Sequence, residues 1–157
     1  MKVVNVKFAG LGGQGILTCT DILGRMVFDM GFDVKKAEVH GMSQRGGAIT
    51  SDLRYGEKVW SPMIPSGCAD YLVVLGDDQI EVNLHHLREG GIMVKPSDFA
   101  VDRLGNKKAL NVALLGALSR HMDFGVDQWM AAIRKHFPER LVEVNEKAFM
   151  LGRGADE

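Results

Sequence analysis

The chain has 157 residues, of which 46% are hydrophobic and 25% charged, and its formal net charge is -1. That size and balance fit one globular domain able to bury a core, and they give no overall pull toward nucleic acid or an anionic membrane. No uncharged apolar run approaches the roughly 20 residues needed to cross a bilayer, and Met1-Lys2 opens no signal peptide, so a cytoplasmic protein is expected. The two cysteines, Cys19 and Cys68, form no C-x-x-C pair and read as buried free thiols. An iron–sulfur cluster held by this chain alone would need about four thiolates.

Along the chain, Lys2–Ala9 alternates and is rich in β-branched residues, which predicts a strand. A glycine turn follows, and Gln14–Met30 predicts a helix. Ile16, Thr20, Leu23, Val27 and Met30 recur at spacings of four and three, one buried stripe, and Gly31 stops the helix. Val34–Val39 predicts a second strand, 41–47 a loop, and Ala48–Tyr55 a third strand with Ile49, Ser51 and Leu53 on one face. Val59-Trp60 predicts a short strand. The loop Ser61–Gly67 follows, set by two prolines and a glycine; with Trp60 and Met63 it reads as apolar surface exposed to a protein partner, the favoured reading, or as a lid over the sheet's crevice. Tyr71–Leu75 predicts a buried strand. Asp77 or Asp78 is expected to cap a helix whose apolar face is Ile80, Leu84 and Leu87, with Gly90-Gly91 ending it and Ile92–Val94 forming another strand. Phe99–Asn106 gives no clear signal.

Lys108–Met122 is apolar nearly all round, which predicts a central, buried helix. Val126, Trp129, Met130, Ile133 and Phe137 mark an amphipathic helix, and Pro138 starts a last one to about Leu151, leaving Gly152–Glu157 as a mobile tail. The alternation of strands and helices predicts an α/β fold: three layers, a mostly parallel sheet covered by helices, a Rossmann-like first βα unit and a helical C-terminal part. No repeat or linker interrupts it, so residues 1–157 read as a single domain.

The turn Gly10-Leu11-Gly12-Gly13-Gln14-Gly15 carries the strongest chemical signal. Gly10, Gly12 and Gly15 satisfy G-x-G-x-x-G, and a strand–turn–helix unit aims backbone N–H groups at a phosphate or carboxylate. One reading is an independent NAD(P)- or flavin-binding oxidoreductase; another is a tight turn with no ligand. A dinucleotide site usually carries an acid at the end of its second strand, about 20 residues on. Glu38 lies near that place but is followed by Val39-His40.

A second phrase changes the weight of the first. Ala37-Glu38-Val39-His40-Gly41-Met42-Ser43-Gln44-Arg45-Gly46-Gly47, one strand after G-L-G-G-Q-G-I, resembles the gamma-type subunit of 2-oxoacid:ferredoxin oxidoreductases, the pyruvate/ketoisovalerate oxidoreductase gamma domain. Its wording is most similar to the beta subunit of indolepyruvate:ferredoxin oxidoreductase. Lys108 to Leu118 and Val144 to Phe149 resemble the family's late helices, so the likeness spans nearly the whole chain. Between Lys95 and Leu110 the chain looks compressed against the family. The resemblance implies a non-catalytic subunit, inactive alone, of an oxidoreductase that acts on oxo groups. It holds no cofactor itself. Thiamine diphosphate and iron–sulfur clusters would sit on a large catalytic partner, which couples the decarboxylated 2-oxoacid to coenzyme A and passes electrons to ferredoxin. No nucleic-acid or membrane partner is implied, and a homo-oligomer of the isolated chain is a third reading.

The candidate ligand- or partner-binding residues are therefore Gly12, Gly13, Gln14, Gly15, His40, Ser43, Arg45, Gly46 and Gly47, with no catalytic residue. Arg45 suits a bidentate grip on carboxylate or phosphate, or an ion pair within the fold. Ser43 can donate to the same anion or cap its own loop. His40 lacks a nucleophile and a third orienting group, which leaves it a structural or interface histidine. His85-His86 are adjacent on a predicted helix and point different ways, so no metal site is expected. Lys107-Lys108 and Arg134-Lys135 read as solvated helix charges.

Overall fold

A computed structural model of the chain describes residues 2–40 and 47–154. The candidates Ser43, Arg45 and Gly46 lie outside the described residues, as does the end of the tail.

Among the described residues, five strands form one sheet: β1 (Val4–Leu11), β2 (Asp33–His40), β3 (Ala48–Gly56), β4 (Ala69–Val74) and β5 (Leu87–Val94). Their order is β2-β3-β1-β4-β5. β1 pairs in parallel with β4, and β4 with β5, while β3 runs antiparallel to both β1 and β2. Four strands thus share a direction and β3 alone opposes them. The expected α/β sheet is present, and it is mixed because β2 returns to β3 as a hairpin before the chain crosses to β4.

The helices are α1 (Ile16–Asp29), the short α2 (Ile80–Asn83), α3 (Leu110–Ser119), α4 (Val126–His136) and α5 (Glu139–Arg153). One face of the sheet carries the main core: Val6, Phe8, Leu53, Tyr55 and Val73 pack with residues of α1, α3, α4 and α5. Ser51 lies on that face too, where its hydroxyl accepts from Thr20 at 2.9 Å. The other face is covered thinly. Ala9, Leu72 and Val74 meet Ile80, Leu87 and Met93, and an irregular strap, 59–68, is tied down by polar side chains. The strap bonds run from Val59 N–H to Asp33 Oδ2 (2.8 Å), from Ile64 N–H to Asp52 Oδ2 (2.9 Å) and from Arg54 Nη1 to the Ser61 carbonyl (2.8 Å).

The central helix is as expected: every residue of α3 from Asn111 to Ser119 is buried. It approaches α5 closely because both helices offer glycine at the crossing. A Cβ on Gly116 would overlap the Phe149 carbonyl, and one on Gly152 the Ala113 carbonyl. Gly152 is therefore part of the core and not of a tail; α5 runs on to Arg153 and ends at Gly154, whose φ of 83° is left-handed.

Other expectations change. Met30 lies past the end of α1 and is 37% exposed, so the buried stripe stops at Val27. Val59-Trp60 is not a strand, since Asp33 takes the Val59 N–H that a sheet neighbour would need. Val59 is buried while Trp60 and Met63 are exposed, as the interface reading required. Neither Asp77 nor Asp78 caps the next helix; both lie in a 3₁₀ turn, Asp77–Gln79, and Gln79 is the cap residue of α2, with no side-chain bond. That helix ends at Asn83, leaving Leu84 exposed and Leu87 inside β5. Gly90-Gly91 forms an irregularity within β5: Gly90 has φ 77°, and the β4–β5 register shifts between Ala69 and Tyr71. Cys68 is exposed and only Cys19 is buried. Arg134 and Lys135 are not merely solvated, since they pair with Glu146 of α5 (2.7 Å) and Asp29 of α1 (2.9 Å).

Gly152→Ala is expected to destabilise the chain by about 3 kcal/mol or more, because rigid backbone, not a flexible side chain, occupies the space. Urea denaturation checks this, with Gly105→Ala, where a Cβ meets open space, as the neutral control.

Candidate functional site

The glycine turn stands at the carboxyl end of β1 and opens α1. Gly13 (φ 88°) and Gly15 (φ 83°) take left-handed conformations that an L side chain resists. Gln14 folds back so that its Oε1 accepts the Leu11 N–H at 2.7 Å, closing the turn on itself. Gly10 lies beneath, where a Cβ would press on Gln14 Oε1 and Leu75. Gly12 N–H donates to the Gly47 carbonyl at 3.0 Å, so the first phrase touches the last residue of the second.

The far wall comes from α3. Asn111, buried, donates from Nδ2 to the Gly15 carbonyl at 3.2 Å, and the Cys19 thiol donates back to the Asn111 carbonyl at 3.3 Å. Burial pushes the Cys19 thiol far up, so it stays a neutral donor. Between these walls lies a cleft of about 640 Å³. Gly13, Gln14 and Gly15 line one side, Lys107, Lys108 and Asn111 the other, with Leu75, Phe137, Leu141 and Val144 as its apolar part.

The charge balance of the cleft follows from the helix. No side chain caps α1 and no acid sits in its first turn, so its leading N–H groups keep their positive end uncompensated. Lys107 and Lys108 add two exposed ammonium groups across from it. The cleft therefore suits an anionic head with an apolar remainder. Both lysines are solvated, as the sequence suggested, but their place on the cleft was not foreseen. The signal was available, because Lys107-Lys108 directly precede the family-like helix that carries Asn111.

Of the expected site residues, Gly12, Gly13, Gln14, Gly15 and Gly47 are brought together. His40 is at the end of β2 with a largely exposed side chain, its Nε2 3.8 Å from Glu38 Oε1, and it does not line the cleft. His85 and His86 stack with ring centroids 3.9 Å apart. Among the described residues, no three His, Cys, Asp or Glu side chains are placed to hold a metal ion, and no helix is long and apolar enough to cross a membrane.

The family model for pyruvate ferredoxin/flavodoxin oxidoreductase matches residues 5–100 and 95–155 of this chain. The chain belongs to that family. The indolepyruvate oxidoreductase subunit IorB of Thermococcus kodakarensis is 32% identical over 97% of this chain and 95% of its own length. Among solved structures, the gamma subunit of a keto/oxoacid ferredoxin oxidoreductase from Geobacter sulfurreducens superposes with a TM-score of 0.79 at 24% identity, covering 95% of both chains. A 2-oxoglutarate:ferredoxin oxidoreductase from Magnetococcus marinus, whose structure holds 2-oxoglutarate, coenzyme A and succinyl-CoA, gives 0.82 at 18% identity over 98% of this chain and 31% of that one. These two likenesses establish the shared fold. The alignment with the Thermococcus subunit runs to 194 residues against the 157 of this chain, so that relative is longer internally. The two segments matched by the family model meet at 95–100, at the edge of the stretch that looked compressed.

Asn111→Ala is expected to cost about 1 kcal/mol, since it removes the side-chain donor to the Gly15 carbonyl and leaves that oxygen only the Cys19 N–H at 3.3 Å. It should also speed reaction of Cys19 with a thiol reagent. Urea denaturation and thiol-labelling rates measure the two effects.

Proposed function

We propose that this chain is the small, non-catalytic subunit of a thiamine-diphosphate-dependent 2-oxoacid:ferredoxin oxidoreductase of the indolepyruvate type. It packs on a larger catalytic subunit and lends its glycine-turn cleft to an anionic ligand, coenzyme A foremost. The observation that carries the reading is the end-to-end match to IorB, 32% identical over 97% of the chain. The cleft supports the second part. Coenzyme A has a phosphate-rich head and a long arm; Lys107, Lys108 and the open end of α1 suit the first, and Leu75, Phe137 and Leu141 suit the second. Bound there, it would supply the thiol that accepts the acyl group. The residues present do not fit a cluster, since one buried and one exposed cysteine fall short of the thiolates required. Thiamine diphosphate and the clusters are accordingly assigned to the partner.

The dinucleotide reading loses its geometric footing. β3 stands between β1 and β2, so Glu38 sits two strands away from the glycine turn, where a ribose-binding acid would be on the adjacent strand. Titration with NAD, NADP and FAD is expected to give no saturable binding.

A tagged chain purified from its native host should bring down a large thiamine-dependent iron–sulfur protein; purification alone would contradict the proposal. In that complex, Lys107→Ala/Lys108→Ala should raise the KM for coenzyme A about tenfold, roughly 1.4 kcal/mol of binding, and leave the KM for the 2-oxoacid unchanged.

A further inference from the structure

The two edges of the sheet are built differently. β5 is blunted: Gly90 takes a left-handed φ of 77°, and the β4–β5 register shifts between Ala69 and Tyr71. Such an irregularity spoils a strand for further pairing. β2 has no such device. It pairs with β3 over all eight residues in one unbroken register, holds no proline, and has β3 as its sole neighbour among the described residues. Every second residue of an edge strand turns its N–H and C=O outward, so β2 offers a regular, unpaired ladder.

Apolar surface borders that ladder. Val39 is 46% exposed on the strap side. On the helix side Phe28 of α1, 67% exposed, lines with Val34 and Lys36 a groove of about 530 Å³. Charges on an edge ordinarily deter pairing, and β2 carries Lys35 and Lys36. Glu38 changes their effect in one register. Two copies joined antiparallel about a two-fold axis normal to the sheet keep each face on its own side. Opposed residues then share a face, and one residue of β2 stands on the axis opposite itself. With Lys36 on the axis two ammonium groups meet, and with Glu38 two carboxylates meet. With Ala37 on the axis, Lys36 opposes the second copy's Glu38, and this happens twice. Lys36 already meets Asp21 at 2.6 Å, so its ammonium would stand between two carboxylates. Glu38 has only His40 beside it, at 3.8 Å. In the same register Val39 opposes Lys35, whose methylene stem can cover it, and Val34 opposes His40. The span required, Val34–His40, stays within the described residues.

We infer that the β2 edge is an interface between two copies of this chain, paired antiparallel about Ala37 so that the two sheets run on as one. The strand is its own complement in charge, and the axial residue is small enough to meet itself. The interface shares no residue with the glycine-turn cleft and does not rest on the role assigned to that cleft.

Sedimentation equilibrium of the purified full chain should show a dimer of twice the 17.2 kDa monomer. Lys36→Glu and Glu38→Lys, both at exposed positions, should each weaken association at least about tenfold by placing like charges opposite one another, a change of roughly 1.4 kcal/mol. The double variant Lys36→Glu/Glu38→Lys should associate more tightly than either, and so should an equal mixture of the two single variants. Position is tested by cross-linking in a Cys68→Ser background, which removes the exposed thiol. Ala37→Cys should form a disulfide-linked dimer under mild oxidation, because opposed Cα atoms of antiparallel strands lie about 4.5–5.5 Å apart. Lys35→Cys, on the same face, should not, since its two copies are displaced by four residues, roughly 13 Å along the strands. A chain that stays monomeric, a dimer in which Ala37→Cys does not cross-link, cross-linking of Lys35→Cys in its place, or a double variant that associates no better than the single ones would each overturn the inference.

Discussion

The hydrogen bond from Asn111 to the Gly15 carbonyl joins the two halves of the molecule, and the cleft exists because of it. Gly15 ends a turn that only glycine builds easily, and Asn111 opens the most deeply buried helix of the chain. The return bond from the Cys19 thiol to the Asn111 carbonyl makes the link reciprocal. With both in place, the N-terminal ends of α1 and α3 are held beside each other at the carboxyl edge of β1 and β4. Neither end is capped by an acid, so their positive ends are presented together and strengthened by Lys107 and Lys108. A ligand crevice at the carboxyl ends of parallel strands is the general expectation for such sheets. Here the Asn111 side chain ties its two walls together.

The same economy governs the helical layer. Gly116 and Gly152 let α3 and α5 approach until backbone meets backbone, which leaves no gap between them for water. α3 is thereby fixed between the sheet and α5, and Asn111 inherits that rigidity. The opposite face follows another rule. It is closed by polar anchors, Asp33, Asp52 and Arg54, reaching for the backbone of an irregular strap.

Much of this was legible in the residues, and the failures have physical causes. The glycine turn, α1 to Val27, the apolar α3 and the amphipathic α4 were written in periodicity, because each buries one face or all faces on a single core. The antiparallel placement of β3 was not legible, since pairing direction depends on how a chain returns and not on which side chains alternate. Gly90-Gly91 looked like a helix stop because glycine's freedom serves a stop and a strand irregularity equally well. The cleft's glycines were seen from their spacing, but Lys107 and Lys108 were passed over: nothing local in the sequence says that residues some ninety positions apart meet. His40 is near the second phrase in sequence but outside the cleft in space, because β3 stands between its strand and β1. Asp52 carried no signal at all, because a carboxylate in a strand becomes conspicuous only when its burial is known.

The central claim is that the glycine turn and the start of α3 form one contact surface for what this subunit serves. Hydrogen–deuterium exchange on the assembled oxidoreductase, compared with the isolated chain, tests it most directly. Slowed exchange confined to Gly12–Gly15 and Lys107–Asn111, deepened when coenzyme A is added, is the result this account predicts. Unchanged exchange at both segments on assembly and on addition of coenzyme A would contradict it.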